Sequence, residues 1–512
     1  LPCGGVRGRV LINMKQKFIL FVILLMIVGD IRAQLHPEAT IDINNIKTTL
    51  YGTGNFFRYR GNYVGDYGYH VPADGIPGTI IQNTLWIAGL DEEDKIHCAA
   101  VRYNQNGEDF WSGPLRTTYA STDIYATMDF HHVWKIKRSD IDAIINKTIT
   151  EIPEDILTWP AHGNTDDGYA QNLAPFVDTD GDGIYDPQKG DYPDILGDMA
   201  LYCIYNDNYA SHTESEGEAF GVEIHCMLYG FNAPDDEILN NTLFMRNWIY
   251  NRSTNTYKDV YVGYWTDFDL GFSRDDFVGC DVERGYYYCY NGRTEDGIGE
   301  PESYGTNIPA QLVMILGGPE MDHDGMDNQK YNPETGENNN ESINGLNFAD
   351  GIIDNERLGM TGFIYHDNNN AVNGDPTNAQ EYYNLMKGIW KNGERMHYGG
   401  NGVPGIDGVT DVPCKFMFPH DSDPSNWGTD GVDPGLGYYW SEETGNNGSP
   451  NYPYDRRGLA SSGPFTFYPG QVHVIDRAYI TCWPNTGVTF NGDIWDEWAD
   501  YIRNYFINNL NK

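Results

Sequence analysis

The chain has 512 residues, of which 40% are hydrophobic and 14% aromatic, and its formal net charge is −41 at pH 7. This composition excludes a disordered chain and supplies ample apolar surface for two domains, or for one large β domain with elaborate loops. The negative charge excludes nucleic acid and anionic membrane surfaces as partners, because like charges repel, and it favours cations.

The first predicted element is an export signal within residues 1–33, which also include upstream residues. Lys15 and Lys17 precede an apolar run at 18–28, and Ala33 is a small residue before a suitable cleavage point. The run is shorter than a bilayer-spanning helix requires, and a single membrane anchor is the alternative. We therefore expect a secreted protein, extracellular or on the outer cell surface, with no membrane span after cleavage.

Most of the remaining chain predicts β-structure. Residues 84–103 contain two apolar runs around the acidic turn Asp91–Asp94, which is typical of a hairpin. Apolar residues alternate from Val222 to Leu228, which predicts a strand with one buried face. Similar segments lie at 199–207, 242–253, 259–271 and 465–483. The sequence thus predicts a mainly β fold, a large antiparallel β-sandwich-like architecture with long calcium-binding loops and a few short helices.

Two helices are predicted from apolar periodicity. Ser139 is positioned to cap a helix that contains Ile141, Ile144 and Ile145. Near the C-terminus, Asp493 is positioned to accept hydrogen bonds from first-turn amides. The apolar stripe of that helix, which predicts packing against the core, comprises Ile494, Trp495, Trp498, Ile502 and Phe506.

Composition also suggests where the chain divides. We expect a β-rich domain at 34–315 that carries an Asp-rich loop at 178–191, and an acidic loop insert at 316–360 rich in Asn, Asp and Gly. Residues 361–512 would continue the β-rich region and end in the amphipathic helix. Seven cysteines follow the signal; Cys280 and Cys289 are the most local pair for a disulfide, and buried free thiols are the alternative.

The acidic loop at 178–191 carries the strongest functional signal. Calcium is bound by six to eight oxygen atoms from a flexible loop. Carboxylates at loop positions 1, 3 and 5 can face inward together, and Gly183 at position 6 allows a sharp turn. Position 12 is Lys189, which excludes an EF-hand; a solvated acidic turn is the alternative. The predicted calcium ligands are Asp178, Asp180, Asp182, the carbonyl of Ile184, Asp186 and Asp191.

Two further acidic groups are weaker candidates for metal binding. The first lies in the insert and would bring two segments of chain together around one ion. The second follows a strand, and loop capping together with an Arg274 ion pair explains it equally well. The first group comprises Asp322, Asp324, Asp327, Asp350, Asp354 and Glu356; the second comprises Asp267, Asp269, Asp275, Asp276 and Asp281.

Catalytic motifs are absent from the sequence. It contains no HExxH, no GxSxG and no Walker loop. Paired carboxylates can hydrolyse glycosides, but with so many acidic residues a pair can be chosen almost anywhere. Four tryptophans in loop-like settings are candidates for stacking on sugar rings, with core packing as the alternative: Trp111, Trp159, Trp427 and Trp440.

Six phrases of the chain are distinctive as a set: "LWIAGLDEEDKIHCAA", "LAPFVDTDGDGIYDPQKGDYPDILGD", "NRSTNTYKDVYVGYWTDFDLG", "DDFVGCD", "DGIIDNERLGM" and "SSGPFTFYPGQVHVIDRAY". Taken together they resemble a group of large, mostly uncharacterised secreted proteins of Bacteroidota. This resemblance implies export as type IX secretion-type cargo, with no sorting domain after the final helix, and a surface or adhesin-like role without established catalytic residues. The loop itself resembles the Asp-rich calcium loops of thrombospondin type 3 repeats and dockerins.

These observations lead to one expected function and one alternative. We expect a secreted or cell-surface, calcium-stabilised protein of structural or adhesin-like type, whose partner is an extracellular glycan or a surface protein. The alternative is a secreted carbohydrate-active enzyme or glycan-binding module. An enzymatic role is the less favoured of the two because no catalytic pattern supports it.

Overall fold

The computed structural model describes residues 36–57, 68–75, 77–103, 107–332, 334–338, 341–485 and 491–511. The predicted export signal at 1–33 lies outside these residues. From Glu38 onward the described chain forms one compact unit. No helix among the described residues is both long enough and apolar enough to cross a bilayer.

The fold is mainly β, as predicted, and consists of large antiparallel sheets with few helices. In chain order the strands are β1 (Glu38–Ile41), β2 (Lys47–Tyr51), β3 (Asn55–Phe56), β4 (Tyr69–His70), β5 (Gly78–Leu90), β6 (Ile96–Ala99), β7 (Trp111–Ser112), β8 (Trp134–Lys137), β9 (Phe176–Val177), β10 (Tyr192–Pro193), β11 (Met199–Asn206), β12 (Val222–Gly230), β13 (Thr242–Asn251), β14 (Tyr257–Phe268), β15 (Asp276–Asp281), β16 (Tyr286–Asn291), β17 (Ile308–Gly317), β18 (Gly362–His366), β19 (His397–Gly399), β20 (Val409–Pro413), β21 (Arg456–Phe467) and β22 (Val472–Asn485).

The helices are short except for the last one. They are α1 (Ile124–Asp129), α2 (Arg138–Ile145), α3 (Glu154–Leu157), α4 (Glu237–Asn240), α5 (Ala379–Met386) and α6 (Gly492–Asn509), with 3-10 turns at Thr165–Asp167 and Trp427–Thr429.

Two nine-stranded sheets make up the sandwich. Sheet 1 has the order β1-β2-β3-β5-β14-β21-β18, with β4 beside β2 and β5, and β6 beside β5. Sheet 2 has the order β15-β16-β17-β22-β13-β12-β11-β7, with β8 beside β11. The strands β9 and β10 form a separate two-stranded ribbon, and so do β19 and β20.

The chain passes repeatedly from one sheet to the other. Strand β13 belongs to sheet 2 and the next strand, β14, to sheet 1; β21 and β22 make the reverse crossing. The predicted turn at Pro469–Gly470 therefore connects the two sheets instead of closing a hairpin within one of them.

Sheet 2 is covered on both faces. Ile224, Cys226 and Leu228 face sheet 1 in the inner core, as the alternation predicts. Met227 and Tyr229, between and beyond them, are also buried, in a second core under α6. A sheet buried on both faces needs apolar residues at almost every strand position, which explains the unbroken apolar runs in the sequence.

Helices cover the outer faces of the sandwich. The buried stripe of α6 packs on sheet 2 through Trp495, Trp498, Ile502 and Phe506, as predicted. On the outer face of sheet 1, the α5 residue Tyr382 sets its ring edge-on to Trp86, with ring centroids 4.7 Å apart. The molecule thus has four layers: helix, sheet, sheet and helix.

Two predicted helix caps differ from the structure. Helix α2 begins at Arg138, so Ser139 lies inside its first turn, and the residue before the helix makes no capping hydrogen bond through its side chain. Asp493 likewise lies inside the first turn of α6, whose cap position is Asn491. In both cases the apolar periodicity located the helix correctly, but its first turn starts earlier than the polar residue suggested.

The seven cysteines of the described residues are all buried free thiols. Cys280 and Cys289, the most local pair, lie on neighbouring strands but are not bonded to each other. The alternative of buried free cysteines therefore holds, and hydrophobic packing stabilises this fold without covalent cross-links among the described residues.

Candidate metal centre

The acidic loop 178–191 joins two short strands that pair with each other. Strands β9 and β10 are antiparallel, with Val177 opposite Tyr192. Asp178 follows Val177 directly and Asp191 precedes Tyr192. Backbone pairing at the neck of the loop therefore brings its first and last aspartates close together.

Two glycines allow the loop to wrap around Asp178. The amide of Gly181 donates to Oδ1 of Asp178 at 2.7 Å, and the amide of Gly183 donates to Oδ2 at 2.7 Å. Both glycines have a φ of 76°, a left-handed conformation that costs other residues about 1–2 kcal/mol. No atom lies within 4 Å of a Cβ built at either position, so backbone conformation alone is the reason for glycine here.

Asp191 is fully buried at the neck of the loop. Its Oδ1 accepts from the amide and the hydroxyl of Thr179 at 2.8 and 2.9 Å, and its Oδ2 accepts from the amide of Asp186 at 2.9 Å. Burial acts to raise the pKa of Asp191, but these donors outweigh it and hold the pKa below its usual value. Asp191 is therefore an ionised carboxylate inside the loop.

Three of the predicted ligands converge. One oxygen from each of Asp178, Asp180 and Asp191 lies within 4.8 Å of the other two. Calcium–oxygen distances of about 2.3–2.6 Å span such separations, so a single ion can contact all three carboxylates.

The other predicted ligands face Lys189 or solvent. The Nζ atom of Lys189 lies 2.9 Å from Asp182, 3.7 Å from Asp180 and 3.8 Å from Asp186. The hydrogen bond from Lys189 lowers the pKa of Asp182, and the same bond raises the pKa of Lys189. The side chain of Ile184 is exposed. Lys189 therefore neutralises part of the loop's charge, mainly that of Asp182.

The six carboxylates of the acidic insert act mainly as acceptors for backbone amides. Asp354 accepts from the amides of Asp324 and Gly325 at 2.8 Å each. These bonds tie two segments of the insert to each other. Among the described residues, no three of the six bring oxygens within 4.8 Å of one another. The remaining contacts are Thr466 to Asp322, Met326 and Asn328 to Asp324, Gly351 to Asp327, Ile352 and Asn355 to Asp350, and Asn328 to Glu356.

A second convergent group lies at one end of sheet 1. Oxygens of Asp267, Asp269 and Asp455 all lie within 4.8 Å of one another. The sequence singled out the first two, but Asp455 is far away along the chain and only strand pairing brings it near. Arg274 is exposed and forms no ion pair among the described residues, whereas Arg457 contacts both Asp267 and Asp455.

A pocket of about 420 Å³ lies beside the acidic loop. Four aromatic side chains and one imidazole line it, and the loop contributes Gly183. The described residues that line the pocket include no Asp, Glu, Lys or Arg, an unusual composition in a chain with so many acids. The aromatic and imidazole walls are Phe176, Tyr202, His225, Trp248 and Tyr250, and Gln171 and Asn172 add side-chain amides.

A buried hydrogen-bond chain fixes the floor of this pocket. His225 lies between the hydroxyl of Tyr202 and Oε1 of Glu223, at 2.9 Å from each. Arg252 donates to the same Oε1 at 2.6 Å. Although burial opposes it, His225 and Arg252 lower the pKa of Glu223 to about 2. The carboxylate is therefore ionised and fully paired, and it serves to hold the ring of His225 in place.

Three of the four tryptophans predicted to stack on sugars are buried in the protein interior. Trp440 is fully buried, and Trp159 and Trp427 are nearly so, while Trp111 is half-buried. Trp248 and Tyr250 are the half-buried aromatics on the pocket wall. They lie within a β-strand, where sequence patterning assigns them to the core, and no local signal marks them as exposed.

No protein-family model matches the sequence, and a comparison with curated proteins found no significant match.

Proposed function

We propose that this protein is a secreted or cell-surface binding protein of structural or adhesin-like type, stabilised by calcium in the loop 178–191. The observation that carries the proposal is the convergence of Asp178, Asp180 and Asp191 on one point. Extracellular fluid supplies calcium at about the concentration that weak extracellular modules require, with dissociation constants of about 10⁻⁴–10⁻³ M.

Electrostatics supports a cation at this point. Asp191 is ionised and buried, and Asp178 and Asp180 lie beside it without a basic partner closer than Lys189 at 3.7 Å from Asp180. Bringing like charges together destabilises the folded loop, and a divalent ion removes that cost. Binding to the folded state alone stabilises it by about 2.7 kcal/mol when free calcium is about 100 times the dissociation constant.

The test is a thermal melt with calcium and with a chelator. We expect calcium to raise the wild-type melting temperature. The part of this rise that comes from the loop should be absent in the double variant Asp178→Asn/Asp180→Asn. The control is Asp142→Asn/Asp235→Asn, which removes the same charge from two exposed sites outside the loop. Equal responses of wild type and loop variant would contradict the loop as a calcium site.

The pocket beside the loop favours glycan binding as a second candidate function. Aromatic faces stack on the apolar faces of sugar rings, and the amides of Gln171 and Asn172 can bond to sugar hydroxyls. An uncharged lining selects an uncharged ligand. Glycoside hydrolysis has no support in this pocket, because two carboxylates are required and the described lining offers neither.

A glycan-array screen followed by titration tests this candidate. We expect binding of a neutral saccharide that falls roughly five- to tenfold in Trp248→Ala and in Tyr250→Ala, since each removes a stacking face worth about 1–1.4 kcal/mol. Tyr125→Ala is the control, because Tyr125 is 76% exposed and lies outside the pocket. Binding that survives both pocket variants would place the saccharide elsewhere.

A further inference from the structure

The convergent group at the end of sheet 1 is assembled by strand pairing. Strands β14 and β21 are antiparallel, with Asp267 opposite Arg457 and Phe268 opposite Arg456. Asp269 follows the end of β14 and Asp455 precedes the start of β21. The register therefore places the carboxylates of Asp267, Asp269 and Asp455 at the same end of the β14–β21 strand pair.

The hydrogen bonds and ion pairs of this group leave it short of positive charge. The Nη1 atom of Arg457 lies 2.9 Å from Asp455, and its Nε lies 3.4 Å from Oδ1 of Asp267. The hydroxyl of Tyr103 donates to Oδ2 of Asp267 at 2.6 Å. Among the described residues, Arg457 is the basic side chain that contacts this group of three carboxyls, so acidic groups outnumber basic ones here. A cation in the group would reduce that imbalance.

Asp269 is the decisive residue because it is buried without a partner. It is 8% exposed, and its carboxylate makes no hydrogen bond or ion pair with any described residue. One of its oxygens nevertheless lies within 4.8 Å of those of Asp267 and Asp455. An isolated buried carboxylate is among the most costly groups in a folded protein, so it is retained where a cation or a proton compensates it.

Neighbouring acceptors show the same shortage of donors. Oδ1 of Asp267 accepts no hydrogen bond, and neither do the buried Oδ1 atoms of Asp275, Asp276 and Asn291 among the described residues. Asp276 and Asn291 are paired across β15 and β16, which lie next to the group. All four orphaned atoms are oxygens, and oxygen is the ligand that hard divalent cations prefer.

We propose that Asp267, Asp269 and Asp455 bind one hard divalent cation at a site inside the fold, distinct from the loop 178–191. The donor set is made of carboxylate oxygens, which suits calcium better than transition metals, since those favour nitrogen or sulfur. The ion joins β14 to β21, two neighbouring strands in the middle of sheet 1, so its removal destabilises the sandwich itself.

The competing explanation is a protonated carboxyl. Burial raises the pKa of Asp267 to about 7, and it raises the pKa of Asp269 well above its usual value, with the carboxylates of Asp267 and Asp455 adding to the effect. A neutral acid and a metal ligand respond in opposite ways to replacement by asparagine, which keeps the shape and removes the charge.

The experiment measures bound calcium by elemental analysis in four proteins, the wild type and three variants, after equilibration with calcium and removal of free metal. We expect Asp269→Asn to lose one equivalent relative to wild type and Asp178→Asn/Asp180→Asn to lose a different one. The combined variant should lose both, because the two sites share no ligand. If the loop 178–191 binds no calcium, the calcium equivalent that depends on Asp269 is still measured. Failure of the loop and failure of the Asp269 site therefore give different calcium contents.

A second measurement keeps the proposal falsifiable if the variant folds poorly. Terbium can replace calcium, and its emission is excited through nearby aromatic rings; Tyr103 bonds to Asp267 and sets its ring 5.3 Å from that of Trp265. We expect sensitised emission in Asp178→Asn/Asp180→Asn that is lost when Asp269→Asn is added. Unchanged calcium content in Asp269→Asn, or an equal melting temperature with calcium and with chelator in the loop variant, would overturn the proposal and assign a proton to Asp269.

Discussion

His212 is a buried histidine whose two ring nitrogens both meet acceptors. Nδ1 lies 2.7 Å from the carbonyl oxygen of Cys98, and Nε2 lies 2.6 Å from that of Asp207. A carbonyl oxygen only accepts, so both nitrogens carry hydrogen and the ring is an imidazolium. The carboxylates of Asp109 and Asp207 lie 3.7 Å from the ring and balance its charge.

This geometry predicts a loss of stability in alkali. Burial acts to lower the pKa of His212, but Asp207, Asp109 and the two carbonyls outweigh it and raise the pKa above its usual value. Its stabilising contribution is therefore complete below about pH 6.5, the pKa of an unfolded histidine, and is lost as pH rises through the raised folded value. Burial also raises the pKa of Asp207 above 3.8, so its contribution likewise falls as pH rises, but this fall begins near pH 3.8 and not in the window of His212.

Melting temperatures measured from about pH 6 to about pH 9 check this expectation. Wild type should lose stability across that range, and His212→Gln should be less stable by about 3–5 kcal/mol at the acid end. Asp109 and Asp207 would lose the cation beside them and keep only their backbone amide donors. The slope with pH should be smaller in the variant. His323→Gln, at an exposed histidine that forms no ion pair among the described residues, serves as the control. Identical slopes in wild type and His212→Gln would refute the buried imidazolium.

At the scale of elements, the sequence predicted those features that depend on residues close together in the chain. The i, i+2 spacing of Asp178 and Asp180 places both carboxylates in one turn of the loop, and the apolar stripe of α6 follows from helical periodicity alone. The same logic missed Asp455, because only the register of β14 with β21 places it beside Asp269. No residue near Asp455 in the sequence signals that partner.

The pocket could not be predicted from the sequence, for a different reason. Trp248 and Tyr250 alternate along β13 like core residues, and most of their strand is buried. What exposes them is the limited extent of the covering segments, with residues 171–176 on one side of the pocket. Segments distant in the chain decide which part of a sheet face is covered. The periodicity of a strand therefore does not show which of its residues are exposed.

At the scale of the whole molecule, the sandwich is stabilised without covalent links among its described residues. All seven described cysteines are buried thiols, and Cys203 lies opposite Cys226 across β11 and β12. We expect the melting temperature to be the same with and without a reducing agent. Alkylation should leave these seven cysteines unmodified in the native protein and label them only in denaturant. A lower melting temperature on reduction would instead reveal a Cys203–Cys226 disulfide.

The positions of β21 and β22 inside the two sheets affect how the chain can fold while it is being synthesised. Strand β21 lies between β14 and β18, and β22 lies between β13 and β17, so each sheet receives an interior strand from residues 456–485. Until a ribosome has released that segment, sheet 1 ends at an unpaired β14 with β18 detached, and sheet 2 is divided between β17 and β13. Neither sheet can therefore be completed before residues 456–485 have been synthesised, and both are then completed by the same segment.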